Sequence, residues 1–362
     1  MTDVEQIERF ACFGASCSVL VAGPGSGRSA RQATLDARHS LEAWHRRFSR
    51  FAASSELSQL NADPRRDVPA SGLMLRLAAA VRTAGELSGG LVDATLVDEI
   101  EIAGYTTGLD ESLALTTALA LAPARRPGVP AALAEWQDVD VSHGERRRWH
   151  VGDDDGHIEG FVSRPPGLKI DGGGLAKGLF ADVLAERLAA HRSFAVECAG
   201  DIAIGGLGDM GRPVHVQSPF DASILHTFEI VDGCVATSGI GRRSWIDRHG
   251  RPAHHLLDPS TGEPAFTGIV QATALAPSAL EAEVRAKAAL LAGPRSAHLH
   301  LSHGGLLVFD DGSHQLLRAP LVVTLGQLSA FARGRGAAGA IADVRPGTAR
   351  PRSAAAEPRR FV

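Results

Sequence analysis

The chain has 362 residues, enough to bury a sizeable core as one large domain or two lobes. Its hydrophobic fraction of 44% and charged fraction of 22% are those of an ordinary folded protein. A formal net charge of −4 gives no reason to expect nucleic acid or an anionic membrane as a partner, and no apolar run approaches membrane-spanning length.

The four cysteines, Cys12, Cys17, Cys198 and Cys234, form no Cys-x-x-Cys and no metal-binding spacing. Residues 10–22 are apolar and predict one strand. Cys12 and Cys17 then fall on opposite faces of it, which argues against a bridge. Residues 1–9 are polar and acidic, unlike a secretory leader, so a reducing, cytoplasmic location is the expectation.

Gly23-Pro24-Gly25-Ser26-Gly27 is a turn. With Arg28-Ser29 it has some likeness to a phosphate loop, but that motif needs Gly, four residues, then Gly-Lys-Ser/Thr. Ala22 and Arg28 stand at two required positions, so a plain strand-to-helix connection is the better account. A helix is predicted over residues 30–50, with Leu41, Trp44 and Phe48 near one face. Ser71 suits an N-cap; Leu73, Leu77, Val81 and Ala84 mark an amphipathic helix that Ser88-Gly89-Gly90 ends. Asp93, in Leu91-Val92-Asp93-Ala94-Thr95, is either a cap of the next turn or a ligand contact. Residues 106–166 are the least informative: helices over 113–122 and 127–135, a strand over 136–141 and a solvated turn at Asp153-Asp154-Asp155-Gly156. Those aspartates lack the alternate spacing of a calcium loop.

Lys169-Ile170-Asp171-Gly172-Gly173-Gly174-Leu175-Ala176-Lys177-Gly178 reads as a strand end, a three-glycine turn and the first turn of a helix. Leu175, Leu179, Val183, Leu184 and Leu188 continue at helical spacing. Glycines without Cβ let a ligand approach the backbone, and the unpaired N–H groups of a helix start favour an anion such as phosphate. Lys177 opposes the helix dipole, so something negative is expected to offset it. Asp171 can hold a metal or a ring N–H. The alternative is a plain junction with Lys177 on a solvated face.

Val235-Ala236-Thr237-Ser238-Gly239 is a strand end whose hydroxyls suit phosphate contacts, or simply a strand before a turn. His254-His255-Leu256-Leu257-Asp258-Pro259-Ser260-Thr261-Gly262 carries a rigid turn, with proline fixing φ and glycine free to adopt φ > 0. His255, held just before it, can present an imidazole to a cleft. A strand over residues 269–275 leads to a helix on which Glu283 and Lys287 share one face. Residues 306–318 predict a hairpin around Asp310-Asp311-Gly312. Residues 326–362, rich in Gly, Ala, Pro and Arg, are expected to form a disordered tail.

Asp171-Gly172-Gly173-Gly174-Leu175-Ala176-Lys177-Gly178 resembles the Asp-x-Gly-Gly-x-Ala-Lys-Gly signature of the ApbE family of FAD:protein FMN transferases. Further stretches follow in that family's order. Ser55-Glu56-Leu57-Ser58-Gln59-Leu60-Asn61 behind Phe51 matches Ser-Glu-Leu-Ser-x-Leu-Asn, and residues 88–95 match Ser-Gly-Gly-x-Phe-Asp-x-Thr. Ala236-Thr237-Ser238-Gly239 matches Ala-Thr-Ser-Gly, and residues 255–264 match His-Ile-Ile-Asp-Pro-x-Thr-Gly-x-Pro.

The resemblance implies an α+β fold, ApbE-like and T-fold-related, with mixed and antiparallel sheets packed with helices in a bilobed single domain over residues 1–325. It implies that the pyrophosphate of FAD is split, FMN passing to a threonine hydroxyl of an acceptor protein and AMP leaving, with Mg2+ assisting. His255 would be the general base, and Lys177 would act on the phosphates. Phe51, Asp93, Asp171, Thr237, Ser238 and Gly239 would contact flavin or nucleotide. The metal would sit at Gly174, Glu283 and the Lys287 position. Several residues depart from the pattern: Phe51 for tyrosine, Glu197 for asparagine, Glu283 for aspartate and Lys287 for threonine. A protonated lysine donates only and cannot ligate a metal. The alternatives are an FAD pyrophosphatase giving FMN and AMP, and a non-catalytic FAD-binding protein.

Overall fold

Where one strand was expected, the first described element is a hairpin. β1 (Gln6–Cys12) and β2 (Ala15–Ala22) pair antiparallel, with Cys12 opposite Ala15. Phe13 and Gly14 make the turn at φ of 54° and 72°, the left-handed geometry that two-residue hairpin loops use. Phenylalanine rarely adopts it, so the sequence carried no turn signal there. Cys12 and Cys17 consequently lie on neighbouring strands, both as free, buried thiols. The structure is a computed structural model and describes residues 4–25, 27–108, 112–143 and 156–318. The expectations about residues 153–155 and the 326–362 tail lie outside the described residues.

The next elements are α1 (Ala30–Arg47), α2 (Glu56–Ala62), β3 (Asp67–Ser71), α3 (Gly72–Ser88), α4 (Val97–Ile102) and α5 (Leu115–Ala120). Then come β4 (Asp140–His143), β5 (Ile158–Ser163), α6 (Ala176–Leu188), β6 (Ser193–Cys198) and β7 (Asp201–Gly205). β8 (Arg212–Gln217), β9 (Ile224–Ile230), β10 (Gly233–Gly239), β11 (Ser244–Ile246) and β12 (Pro252–His254) follow. The last are β13 (Ile269–Ala276), α7 (Ala279–Ser296), β14 (Gly305–Phe309) and β15 (His314–Leu317).

Serine hydroxyls start four of these helices. Ser29, Ser55, Ser71 and Ser278 accept from the N–H groups of Gln32, Ser58, Met74 and Glu281, each worth about 1 kcal/mol. Gly89 at φ 64° ends α3. The expected helix over 127–135 is absent, and Glu135–Asp138 is a 3-10 turn rather than strand. Packing decides this: the Trp136 indole lies flat on α3, where a Cβ at Gly85 would come within 2.2 Å of the ring. Gly23 and Gly25 belong to a packed connection. Its Gly23 carbonyl meets His191 Nδ1 at 2.8 Å, and a Cβ at Gly25 would fall 2.7 Å from the His191 nitrogen.

One eight-stranded antiparallel sheet runs in the order β1-β2-β6-β7-β10-β13-β14-β15. A second sheet, β3-β5-β4, carries α3. α6 packs on β6 and β7, and α7 on β10 and β13, so the two helices lie side by side over the large sheet. Val19, Phe180, Leu184 and Val196 are in the core under α6; Ile269, Leu290 and Leu306 are in the core under α7. The result is mixed helix and antiparallel sheet in a single domain, as expected.

The α6–α7 contact positions the site. A Cβ at Gly178 would come 2.6 Å from the Ala279 carbonyl oxygen, so only glycine permits the approach. Asp182, one turn later, accepts from the Ala279 and Leu280 N–H groups at 2.6 and 3.0 Å. Its carboxylate satisfies two orphan donors of α7 and sets the register between the helices.

Candidate active site

The three-glycine turn is held by its neighbours. Asn61 grips Ile170 from both sides, donating to its carbonyl and accepting from its N–H, each at 2.9 Å. The Asp171 N–H donates to the Ala94 carbonyl at 2.8 Å, while Asp171 Oδ1 accepts from the Gly173 N–H at 2.9 Å. This fixes where α6 begins. No side chain caps that helix at Leu175. Instead the Gly178 N–H donates to Glu283 Oε2 of α7 at 2.9 Å. The anion favoured by this helix start is in part the protein's own carboxylate.

Four charged groups meet behind the turn. Lys177 pairs with Asp201 and lies 3.2 Å from Glu283 Oε1. Lys287 Nζ donates to the same Glu283 oxygen at 2.9 Å. Glu283 is fully buried. Burial alone would raise its pKa, but the Lys177 and Lys287 ammoniums outweigh it and hold the carboxyl at about 2. Burial pushes Asp201 up to about 6 against the pull of Lys177. Desolvation works against a charged Lys177, yet Asp201 and Glu283 override it and raise this group. The offset to Lys177 is therefore supplied by Asp201 and Glu283, neither of which its local sequence reveals.

The turn opens into a cavity of about 450 Å³, within the range of small-molecule sites. Phe51, Asp93, Asp171, Gly174, Lys177, His255 and Lys287 all line it. These residues come from stretches spread over more than half the chain. Asp93 also caps its own turn, accepting from the Thr95 N–H and hydroxyl at 2.8 and 2.5 Å. Thr237, Ser238 and Gly239 are placed apart from the lining. Thr237 is hydrogen-bonded across β10 and β13 to Thr273 at 2.9 Å, and Ser238 is buried.

Of the two adjacent histidines, His254 is buried edge-on against Phe266, with ring centroids 4.7 Å apart, and accepts from the Leu256 N–H. Burial holds it at about 3, so it is a neutral packing residue. His255 lines the cavity, and its buried Nδ1 has no hydrogen-bond partner among the described residues. Burial first, then Arg243, His254 and Lys287, push His255 well below the usual histidine range. It is a neutral imidazole at the cavity wall; its unpartnered Nδ1 is itself buried, as is His254 Nε2.

Sequence reasoning missed Arg50, Tyr105 and Arg243, which also line the cavity. The Arg50 guanidinium lies over the rings of Phe51 and Tyr105, at 4.5 and 4.9 Å, and donates to the Tyr105 carbonyl at 2.7 Å. It is also 3.7 Å from Asp171. Tyr105 stacks on Trp245 at 5.3 Å. Arg50 sits beside the recognised Phe51, but its partner Tyr105 lies in a stretch with no motif, so the pairing had no sequence signal.

The expected metal position fails a test of its donors. The Lys287 side chain occupies the space between the two proposed ligands, with Cε 3.4 Å from where a Cβ at Gly174 would stand. Both Glu283 oxygens are engaged, Oε2 by Gly178 and Oε1 by two ammoniums. Among the described residues no three His, Cys, Asp or Glu side chains are grouped to hold an ion. The donor set does not fit Mg2+.

A profile of the ApbE family matches residues 13–307. The chain belongs to the ApbE family. A Klebsiella pneumoniae FAD:protein FMN transferase is 29% identical over 150 residues, covering 40% of this chain and 43% of the relative. The match thus spans under half the length of that relative. The ApbE protein of Thermotoga maritima has the same fold, with a TM-score of 0.66 at 23% identity over 87% of this chain and 97% of that one. The Pseudomonas stutzeri flavinyl transferase ApbE gives 0.65 at 20% identity over 87% and 95%. The ApbE signature at residues 171–178 lies within the matched span, and its residues 171–177 line the cavity.

Proposed function

We propose that this ApbE-family chain is an FAD:protein FMN transferase, taking FAD and an acceptor protein as substrates. The observation that carries the reading is the convergence of Lys177, Lys287 and the neutral His255 on one cavity beside the glycine turn. Phosphoryl transfer needs positioning, charge neutralisation and a base. The two ammoniums suit the pyrophosphate, and Phe51, Tyr105, Asp93 and Asp171 suit the flavin and nucleotide. A threonine hydroxyl of the acceptor attacks the phosphorus on the FMN side and gives its proton to His255. The bond from that phosphorus to the bridging oxygen breaks, and AMP leaves with that oxygen and the electron pair. No step is assigned to magnesium, because the donor set does not fit it. Four free buried thiols suit a reducing compartment, so a cytoplasmic location is part of the proposal. No described helix is long and apolar enough to cross a membrane.

The test is His255→Ala. Removal of a base lowers turnover by about a hundredfold or more while substrate binding survives. Flavin transfer to acceptor, read by in-gel fluorescence, should be lost, with FAD affinity by calorimetry unchanged. Loss of FAD binding together with transfer would make His255 a binding or structural residue. Free FMN and AMP without protein-bound flavin from the unmodified chain would identify a pyrophosphatase.

A further inference from the structure

We propose that the Lys287 ammonium is a built-in cation that holds the FAD pyrophosphate, so that this chain binds and cleaves FAD without a divalent metal. The inference rests on the transferase reading above and concerns what neutralises the phosphates in that site.

Three observations carry it. The first is position. Lys287 is 6% exposed, lines the cavity and runs against Gly174 of the glycine turn. Its Nζ has three N–H donors, and Glu283 Oε1 is the hydrogen-bond acceptor of one. No second acceptor for Nζ is found among the described residues; burial pulls Lys287 below the usual lysine range while Glu283 opposes that pull.

The second is saturation of the carboxylate. Glu283 has one oxygen on the Gly178 N–H and the other between the Lys177 and Lys287 ammoniums, at 3.2 and 2.9 Å. A divalent ion on that oxygen must expel an ammonium or sit against it. Two like charges a few ångströms apart in a buried site repel strongly. The other carboxylate of the cluster, Asp201, is paired with Lys177 and does not line the cavity.

The third is that the lysine cannot swing away without loss. Glu283 is fully buried, and removing one partner of such a pair leaves a charge uncompensated. Glu283 thus orients Lys287 as a fixed donor, preorganised for charge that builds on the phosphate during transfer. In the reaction Lys287 gives hydrogen bonds to a non-bridging phosphate oxygen and neither gains nor loses a proton. The bonds made and broken, and the proton passed to His255, are those already described.

The experiment needs no variant at first. FAD affinity of the full chain, followed by flavin fluorescence quenching, is compared in EDTA and in saturating magnesium. Bound Mn2+ is counted by electron paramagnetic resonance with FAD present. The expected result is an affinity that agrees within about twofold between the two conditions, and no saturable Mn2+ site beyond that of free FAD. Lys287→Thr should then create a saturable Mn2+ site and make FAD binding depend on magnesium. Lys287→Met should weaken FAD about tenfold or more, and Lys287→Arg should retain most of it. FAD bound by the unaltered chain only with magnesium, or a saturable Mn2+ site in it, overturns the role of Lys287 and leaves the transferase reading standing. FAD bound under neither condition overturns the transferase reading and this inference with it.

Discussion

His255 shows how one residue acquires a role from what surrounds it. In the sequence it is the second of two identical neighbours, His254 and His255. The structure separates them. His254 is packed on Phe266 and His255 lines the cavity, although each has one buried nitrogen without a hydrogen-bond partner among the described residues. Burial and the nearby Arg243 charge favour the neutral ring and carry His255 well below 6.5. A base works only when deprotonated, so it is active at every pH above its own titration and fails below it. The acid limb of kcat/KM, which reports the free enzyme, should therefore fall well below pH 6.5. Arg243→Met removes the second-largest cause and should move that limb upward, toward the ordinary histidine range. A limb in the unaltered chain at or above pH 6.5 would place the base elsewhere.

At the scale of elements, the site depends on how closely α6 and α7 approach. The glycine turn was legible because three glycines and a helical apolar repeat both leave a pattern in the sequence. The reason for the fourth glycine was not. Gly178 faces the Ala279 carbonyl, a contact made across about a hundred residues. Gly178→Ala gains about 1 kcal/mol of helix propensity, but its methyl would stand 2.6 Å from a backbone oxygen that cannot rotate away. Overpacking costs about 1 to 3 kcal/mol, and the separation also pulls Glu283 from the Gly178 N–H. The variant should melt lower than the parent in thermal denaturation and bind FAD more weakly. Unchanged melting and binding would show that the helices have slack there. The Phe13–Gly14 hairpin and the Trp136 turn were illegible for a related reason: tertiary packing set the backbone against local preference.

For the whole molecule, the sequence conveyed what is local and repeated, and the structure added what converges. The Ser71 cap and the glycine turn each sit in a stretch with its own chemistry, whereas the α+β architecture and the place of His255 came from the resemblance of several stretches taken together. The Lys177–Asp201–Glu283–Lys287 cluster and the Arg50–Tyr105 contact join α6, β7, α7 and loops that share no local pattern. Thr237, assigned to the ligand by the resemblance, lies outside the cavity lining, and its hydroxyl is bonded to Thr273. The central claim is that this assembled cavity moves FMN from FAD to a protein. Its most direct test is to incubate the full chain with FAD and a threonine-bearing acceptor, then measure acceptor mass and released nucleotide together. The account predicts one FMN joined per acceptor and an equal amount of AMP; FAD recovered intact, or FMN released free with the acceptor unmodified, would contradict it.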